Sequence, residues 1–174
     1  MKILACLVLL CFVASVVSAD IVIKQGLINP LLDTASVGSF SEIEINKDFK
    51  KLTYGLSQGI FFSQLRGEDT SGIWAVRGTL GVYPTLINLK YNIGKFYLGG
   101  AFGIAWQSFS TPFAEVKNRP MIQGIVGYKI NDRLGIEVKR IFADLDIESG
   151  SYDYGIMENK SNLHSWVGAL TWRW

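Results

Sequence analysis

Phe96-Tyr97-Leu98-Gly99-Gly100-Ala101-Phe102-Gly103-Ile104-Ala105-Trp106 is the stretch whose reading decides the fold. Its side chains alternate in kind. One face carries Phe96, Leu98, Phe102, Ile104 and Trp106; the other carries Tyr97, Gly99, Ala101, Gly103 and Ala105. A period of two marks a strand with two unlike faces. A soluble β sandwich turns its large apolar face inward. A small membrane barrel turns that face to lipid and keeps small and polar residues in a narrow lumen.

The same alternation recurs on both sides of this stretch. Leu52, Tyr54, Leu56, Ile60 and Phe62 oppose Thr53, Gly55, Ser57, Gly59 and Ser63. Pro120, Ile122, Val126, Tyr128 and Ile130 oppose Gln123, Gly127 and Lys129. Leu134, Ile136 and Val138 oppose Gly135, Glu137 and Lys139. At the C-terminus Trp166, Leu170, Trp172 and Trp174 oppose Ala169, Thr171 and Arg173. Glu42 and Glu44 alternate with Ile43 and Ile45.

The connections carry a second signal. Asn46–Lys51, Asn92–Lys95 and Asn131–Arg133 are short polar turns. Between them lie longer links, at Asn29–Ala35, Arg66–Gly72, Gln107–Arg119 and Ile147–Asn162. Outer-membrane barrels alternate short periplasmic turns with longer external loops in this way. Eight antiparallel strands are expected, near 20–28, 37–46, 52–65, 73–91, 96–108, 120–130, 134–146 and 163–174. The fold class is therefore all-β, an eight-stranded transmembrane barrel. Pro84 falls inside the fourth strand, where it lacks a ladder donor. Trp74, Val76, Leu80 and Val82 share one phase there, and Ile87, Leu89 and Tyr91 share the other. A bulge at the proline is the expected cause.

Composition agrees with one exported β domain. The chain has 174 residues, 49% hydrophobic and 13% aromatic, with 18 glycines. After the first twenty residues no apolar run approaches the roughly 20 residues that a membrane helix needs. Lys2, the apolar run Ile3–Val17 and the small residues Val17-Ser18-Ala19 read as a signal peptide over 1–19, leaving a barrel over 20–174. A membrane anchor is the alternative, but the run is short and ends in a cleavage-like site. Both cysteines, Cys6 and Cys11, lie in that segment, and Leu10 before Cys11 is not the small residue a lipoprotein requires. The expected location is the bacterial outer membrane. A net charge of +2 gives no basis for nucleic-acid binding.

An eight-stranded lumen has room for side chains but not for a wide aqueous pore. Glu42, Glu44, Arg77, Glu137 and Lys139 are assigned to it, where opposite charges can pair. Tyr91, Phe96, Tyr128, Trp172 and Trp174 form one candidate interfacial belt; Trp74, Trp106 and Trp166 form the other. A chain ending on an aromatic residue, Trp174, also resembles the C-terminal signal that outer-membrane proteins present to the barrel assembly machinery.

Little in the sequence suggests chemistry. The single histidine, His164, precedes Ser165, and neighbours on a strand point to opposite faces, so they do not form a nucleophile–base pair. No Cys/His cluster suggests a metal, and no cofactor is implied. Asp144, Asp146, Glu148 and Asp153 fit either a divalent-cation site or a solvated loop, and the solvated reading is favoured.

Two segments carry a family resemblance. Gly78-Thr79-Leu80-Gly81-Val82-Tyr83-Pro84 through Tyr91, followed by Lys95–Ala105, resembles the lipid A 3-O-deacylase family, in which a proline-bearing strand precedes a turn and a glycine-rich strand. Gly127-Tyr128-Lys129-Ile130 and Leu134–Lys139 extend the likeness over roughly residues 50–145. The resemblance implies an eight-stranded outer-membrane barrel that removes an acyl chain from lipid A. In that family a His and a Ser two residues apart follow an Arg on one strand and work with an acidic partner. Here Lys139 matches the Arg, Phe142 stands at the His, Asp144 at the Ser, and His164 near the acidic partner. The resemblance thus implies an inactive or repurposed relative.

Arg140 is the remaining oddity. It shares the outward phase of Val138 and Phe142, where a lipid-facing Arg at mid-depth costs about 2–4 kcal/mol. Either it snorkels to the outer headgroups or the strand has a bulge. Arg140 with Lys139 is the candidate for meeting lipopolysaccharide phosphate. Three functions follow: a non-enzymatic barrel serving the envelope or surface interactions, a lipid A hydrolase with a displaced site, and, last, a narrow channel.

Overall fold

The computed structural model describes residues 19–31, 35–66, 77–110, 114–151, 155–162 and 164–174. Residues 1–18 of the expected signal segment, with both cysteines, as well as Trp74, Asp153 and the side chains of Arg77, Asp146 and Glu148 lie outside this description. The strands are β1 (Asp20–Pro30), β2 (Gly38–Phe49), β3 (Leu52–Arg66), β4 (Arg77–Ile93), β5 (Phe96–Phe109), β6 (Ala114–Val116), β7 (Arg119–Lys129), β8 (Leu134–Ser151), β9 (Gly155–Asn162) and β10 (Ser165–Arg173).

Eight of these close into an antiparallel barrel in the order β1-β2-β3-β4-β5-β7-β8-β10, with β10 returning to β1. The closing seam runs from Val22 opposite Arg173 to Pro30 opposite Ser165. Beyond it the Trp174 N–H donates to the Ile21 carbonyl at 2.9 Å, and Leu31 N–H donates to the His164 carbonyl at 2.7 Å. No edge is left open along the seam, which is the condition for a sheet in lipid.

Three tight turns join strands at one end. In β2–β3 Lys50 adopts φ 56°, and in β4–β5 Gly94 adopts φ 61°, a left-handed geometry that favours glycine. In β7–β8 the Asn131 side-chain oxygen accepts from the N–H groups of Arg133 and Leu134, at 2.9 and 2.8 Å. The opposite end carries the longer links, as the sequence predicts. Two of those links, expected as loops, hold strands of their own. β8 runs on to Ser151, with β9 along one edge and β6 along the other. Asp144-Leu145-Asp146-Ile147-Glu148 keeps alternating in sequence, a signal overshadowed by its acidity.

The two faces sort as the alternation requires. Phe102, Ile122, Leu98, Val138 and Leu170 point outward, Leu170 with 65% of its surface exposed. Large apolar side chains form a continuous band around the barrel, far beyond the patch a soluble monomer exposes.

The expected bulge at Pro84 is absent. Gln58 opposes Thr85 and Phe61 opposes Val82, so the β3–β4 register is the same on both sides of the proline. On the other edge Pro84 pairs with Ala105 in unbroken register. Opposite it stands Gly59, where an added Cβ would lie 3.0 Å from the proline ring. The change of hydrophobic phase has another cause. Leu80, Val82, Pro84 and Leu86 all face inward and join Ile28, Phe40, Phe61, Met121, Ile141 and Val167 in an apolar plug at the loop end of the lumen. Below Leu86 the inward row becomes polar, with Asn88 and Lys90. The interior is thus layered, and its loop end holds bulky apolar groups that the sequence reading placed only on the outside.

A lipid-facing band predicts a specific penalty. Phe102→Lys, at a site exposed to 60%, should destabilise the barrel in lipid vesicles by about 2–4 kcal/mol in denaturant-induced unfolding. A neutral outcome would mean that this face meets water.

Candidate functional site

Two assemblies of polar side chains stand out, one inside the barrel and one on its wall. The inner one lies toward the turn end, below the apolar plug. Lys24 and Glu42 are direct neighbours across β1–β2. The chain of contacts runs from Lys139 to Glu42 at 2.6 Å, on to Lys24 at 2.9 Å, and to Glu44 at 2.8 Å. From Glu44 it continues to Lys90 at 2.7 Å, to Glu137 at 3.4 Å, and back to Lys139 at 3.3 Å. Lys24 also crosses this ring to Glu137 at 2.8 Å. Three lysines and three glutamates alternate, so the buried ring is neutral.

Aromatic rings brace it. The Tyr97 hydroxyl donates to Glu137 at 2.9 Å. The Lys90 ammonium lies 5.3 Å from the Tyr97 ring centre, and that of Lys139 lies 5.0 Å from Phe40. Tyr97 reaches Glu137 by lying over Gly127, which pairs with both residues across the sheet. A Cβ on Gly127 would fall 2.0 Å from the tyrosine Cζ, so only glycine admits the ring there.

Glu42, Glu44, Glu137 and Lys139 were expected inside, and they are buried there. Lys24 and Lys90 were missed, and Tyr97, read on the lumen face, was not read as part of the ring. Lys90 shared the inward phase opposite Ile87, Leu89 and Tyr91, and charge balance against three glutamates already called for more cations. The ring ties β1 and β2 to β4, β5 and β8, across the interior, and leaves the lumen filled in the manner of a small barrel.

The second assembly is on the outer wall. β8 keeps one register against both β7 and β10 through Arg140, so the alternative of a bulge there is excluded. Arg140 faces outward, pairs with Trp166 across the strands, and lies with its guanidinium carbon 5.0 Å from the Trp166 ring and 5.4 Å from the Phe142 ring. Phe142 in turn meets the His164 ring edge-on at 5.4 Å. Gly124, the β7 neighbour of Arg140, has open space where a Cβ would project. Asp144 is exposed one further outward position along β8.

The structure separates Lys139 from Arg140. Lys139 was expected both inside and beside Arg140 at a headgroup; it is fully buried in the ring, so the outer position falls to Arg140 alone. Phe142, Asp144 and His164 do come together on the outer wall. Ser165 points into the lumen and is buried, away from His164, as expected for strand neighbours. Arg140 sits six residues past the start of β8, about 15 Å up the wall at ordinary rise and tilt. That places it in the loop-side half of an apolar band about 25 Å tall. Among the described residues no helix is long and apolar enough to cross a membrane, and crossing falls to the strands.

Comparison with solved structures agrees on the architecture. OprG of Pseudomonas aeruginosa superposes with a TM-score of 0.58 at 15% identity, over 90% of this chain and 96% of that one. AlkL, determined in lipid bilayers, gives 0.57 at 12% identity over 90% of each chain. Ail of Yersinia pestis, in a bilayer nanodisc, gives 0.52 at 12% identity, over 90% of this chain and all 100% of that one. All three are outer-membrane proteins. No family model and no curated protein matches this sequence. The fold is that of the small outer-membrane barrels, and the resemblance to lipid A 3-O-deacylases stands on the residues quoted above alone.

Neutralising one glutamate leaves the buried ring with an uncompensated positive charge, although each lysine keeps another carboxylate. Glu137→Gln is expected to cost about 3–5 kcal/mol in vesicle unfolding titrations. Deleting a pair, Glu42→Gln with Lys139→Met, restores neutrality and should recover a large part of what Glu42→Gln alone loses.

Proposed function

We propose that this chain is a closed, non-enzymatic barrel of the bacterial outer membrane that serves the envelope by engaging lipopolysaccharide on its outer wall. The observation that carries the reading is Arg140. Among the described residues it is the one outward-facing cation within the apolar band, set against two aromatic rings. A cation in such a place is stabilised by an anion within reach, and the lipid A phosphates of the outer leaflet supply one. Arginine suits the task because its planar fork stacks on rings while its N–H groups remain free to bind phosphate in pairs.

The filled lumen argues against a channel. The alternative, a lipid A hydrolase, draws on the family resemblance, and the residues at its key positions argue against it. Phe142 has no proton-accepting atom and Asp144 is not a hydroxyl nucleophile. Proximity of His164 to Phe142 supplies a base without a serine beside it. Assembly through the C-terminal strand ending at Trp174 completes the picture of a barrel inserted by the general machinery.

Arg140→Ala should weaken lipopolysaccharide association about tenfold, the worth of one charged hydrogen bond; unchanged association removes the proposal. Mass spectrometry of lipid A from cells with and without the protein should give identical acyl patterns. A lost hydroxyacyl chain would establish the hydrolase instead.

A further inference from the structure

The charges outside the buried ring are divided unequally between the two rims. The tight-turn rim carries Lys47, Lys50, Lys51, Lys95, Lys129, Arg133 and Arg173, against Asp20, Asp48 and Asp132. By sequence, the strand ends and connections at the other rim, over 31–37, 66–77, 110–119 and 144–162, carry nine acids and five bases. The turn rim is thus basic by four charges and the loop rim acidic by four.

Among the described residues only one of the turn-rim cations, Arg173, forms a salt bridge. Arg173 bridges Asp20 at 2.9 Å and Asp48 at 2.8 Å, and Asp48 also accepts a hydrogen bond from Thr53. Lys47, Lys51, Lys95, Lys129 and Arg133 enter no salt bridge among the described residues. Lys50 lies only against the Phe49 ring, at 5.7 Å.

The cations are also placed in a repeating way. Lys50 and Lys51 lie between Phe49 and Leu52, Lys95 lies between Ile93 and Phe96, and Arg133 lies between Ile130 and Leu134. Phe49, Leu52, Ile93, Phe96 and Ile130 are all exposed. Every tight turn therefore sets a cation at the lower border of the apolar band, beside anchors that reach into lipid. Lys129, Arg133 and Arg173 line the mouth of the lumen at this rim, whereas Lys50, Lys51 and Lys95 lie outside it. Cations spread singly around the circumference beside lipid-facing anchors match the plane of headgroups.

We propose that the tight-turn rim is a docking collar for anionic phospholipid headgroups, the phosphates of the periplasmic leaflet. It is separate from the outer-wall position at Arg140, which lies in the other half of the band. Attraction at such a surface is electrostatic and weakens as ionic strength rises.

The test uses the folded protein in vesicles of equal parts phosphatidylcholine and phosphatidylglycerol. After gentle detergent extraction, mass spectrometry of the retained lipid reads the enrichment. The protein should retain phosphatidylglycerol over phosphatidylcholine by about fivefold, the Boltzmann equivalent of one cation at an anionic surface. Lys51→Gln with Lys95→Gln and Arg133→Gln should bring the ratio to that of the bulk mixture. The charge-keeping set Lys51→Arg, Lys95→Arg and Arg133→Lys should retain it. Arg140→Ala should leave it in place, which separates this collar from the outer-wall site. Equal retention of both lipids by the unaltered protein overturns the proposal, as does enrichment that survives the glutamine set or vanishes with Arg140→Ala. Heat-dependent gel mobility, shared by all variants, establishes that each one is folded.

Discussion

The whole molecule depends on pairing every backbone amide and carbonyl that enters lipid. Bilayer hydrocarbon offers no water to take an orphaned group, so a sheet there must close on itself. Here the closure is the β1–β10 seam, joining the two ends of the domain and extended by the Trp174–Ile21 hydrogen bond. Once the seam is made, the pleat does the rest. One set of side chains has nowhere to go but lipid, and the other must fit a lumen of fixed width.

That lumen is occupied in two layers, and the lower one is the less obvious choice. A buried neutral ring of lysines and glutamates is weak evidence for stability, because desolvation offsets much of the attraction. Its clearer contribution is register. Lys24 and Glu137 are distant in sequence yet meet at 2.8 Å, and Lys139 reaches Glu42 from the other side of the seam. A slip of one residue in any contributing strand would turn its charge out to lipid and leave partners unpaired inside. The ring therefore discriminates one strand alignment from its neighbours far more sharply than a lumen of interchangeable aliphatic groups. Gly127 fits the same account, since it lets Tyr97 lie across the ladder and complete the network at Glu137.

Much of this was legible in the sequence, because the pleat's period of two writes itself directly into residue order. The outward faces of β3, β5, β7, β8 and β10 and the inward placement of Glu42, Glu44 and Glu137 follow from alternation alone. What alternation hides is the third dimension. The phase change at Pro84 looked like an inserted residue because bulky apolar groups were assumed to face lipid. The structure keeps the register and changes the environment instead, with an apolar layer inside the loop end of the barrel. Lys24 sat among apolar neighbours with no partner nearby in sequence, so nothing local marked it as half of a pair. The extension of β8 beside β9 was obscured for a similar reason: acidic residues read as loop when no membrane face constrains them.

Lys139 and Arg140 show how finely the two faces discriminate. They are adjacent in sequence and carry the same charge, yet the strand sends one into the ring and the other to the wall. Lysine suits the inside, where a compact ammonium meets the carboxylates of Glu42 and Glu137 at close range. A guanidinium there would need more room than a filled eight-stranded lumen has. Arginine suits the outside, where its flat group lies against Trp166 and Phe142. Exchanging the two would leave each charge with the wrong shape for its setting, although composition, net charge and hydrophobic pattern would all be unchanged. The face a residue occupies therefore decides its surroundings: Lys139 meets carboxylates, and the half-buried Arg140 meets aromatic rings on the apolar wall.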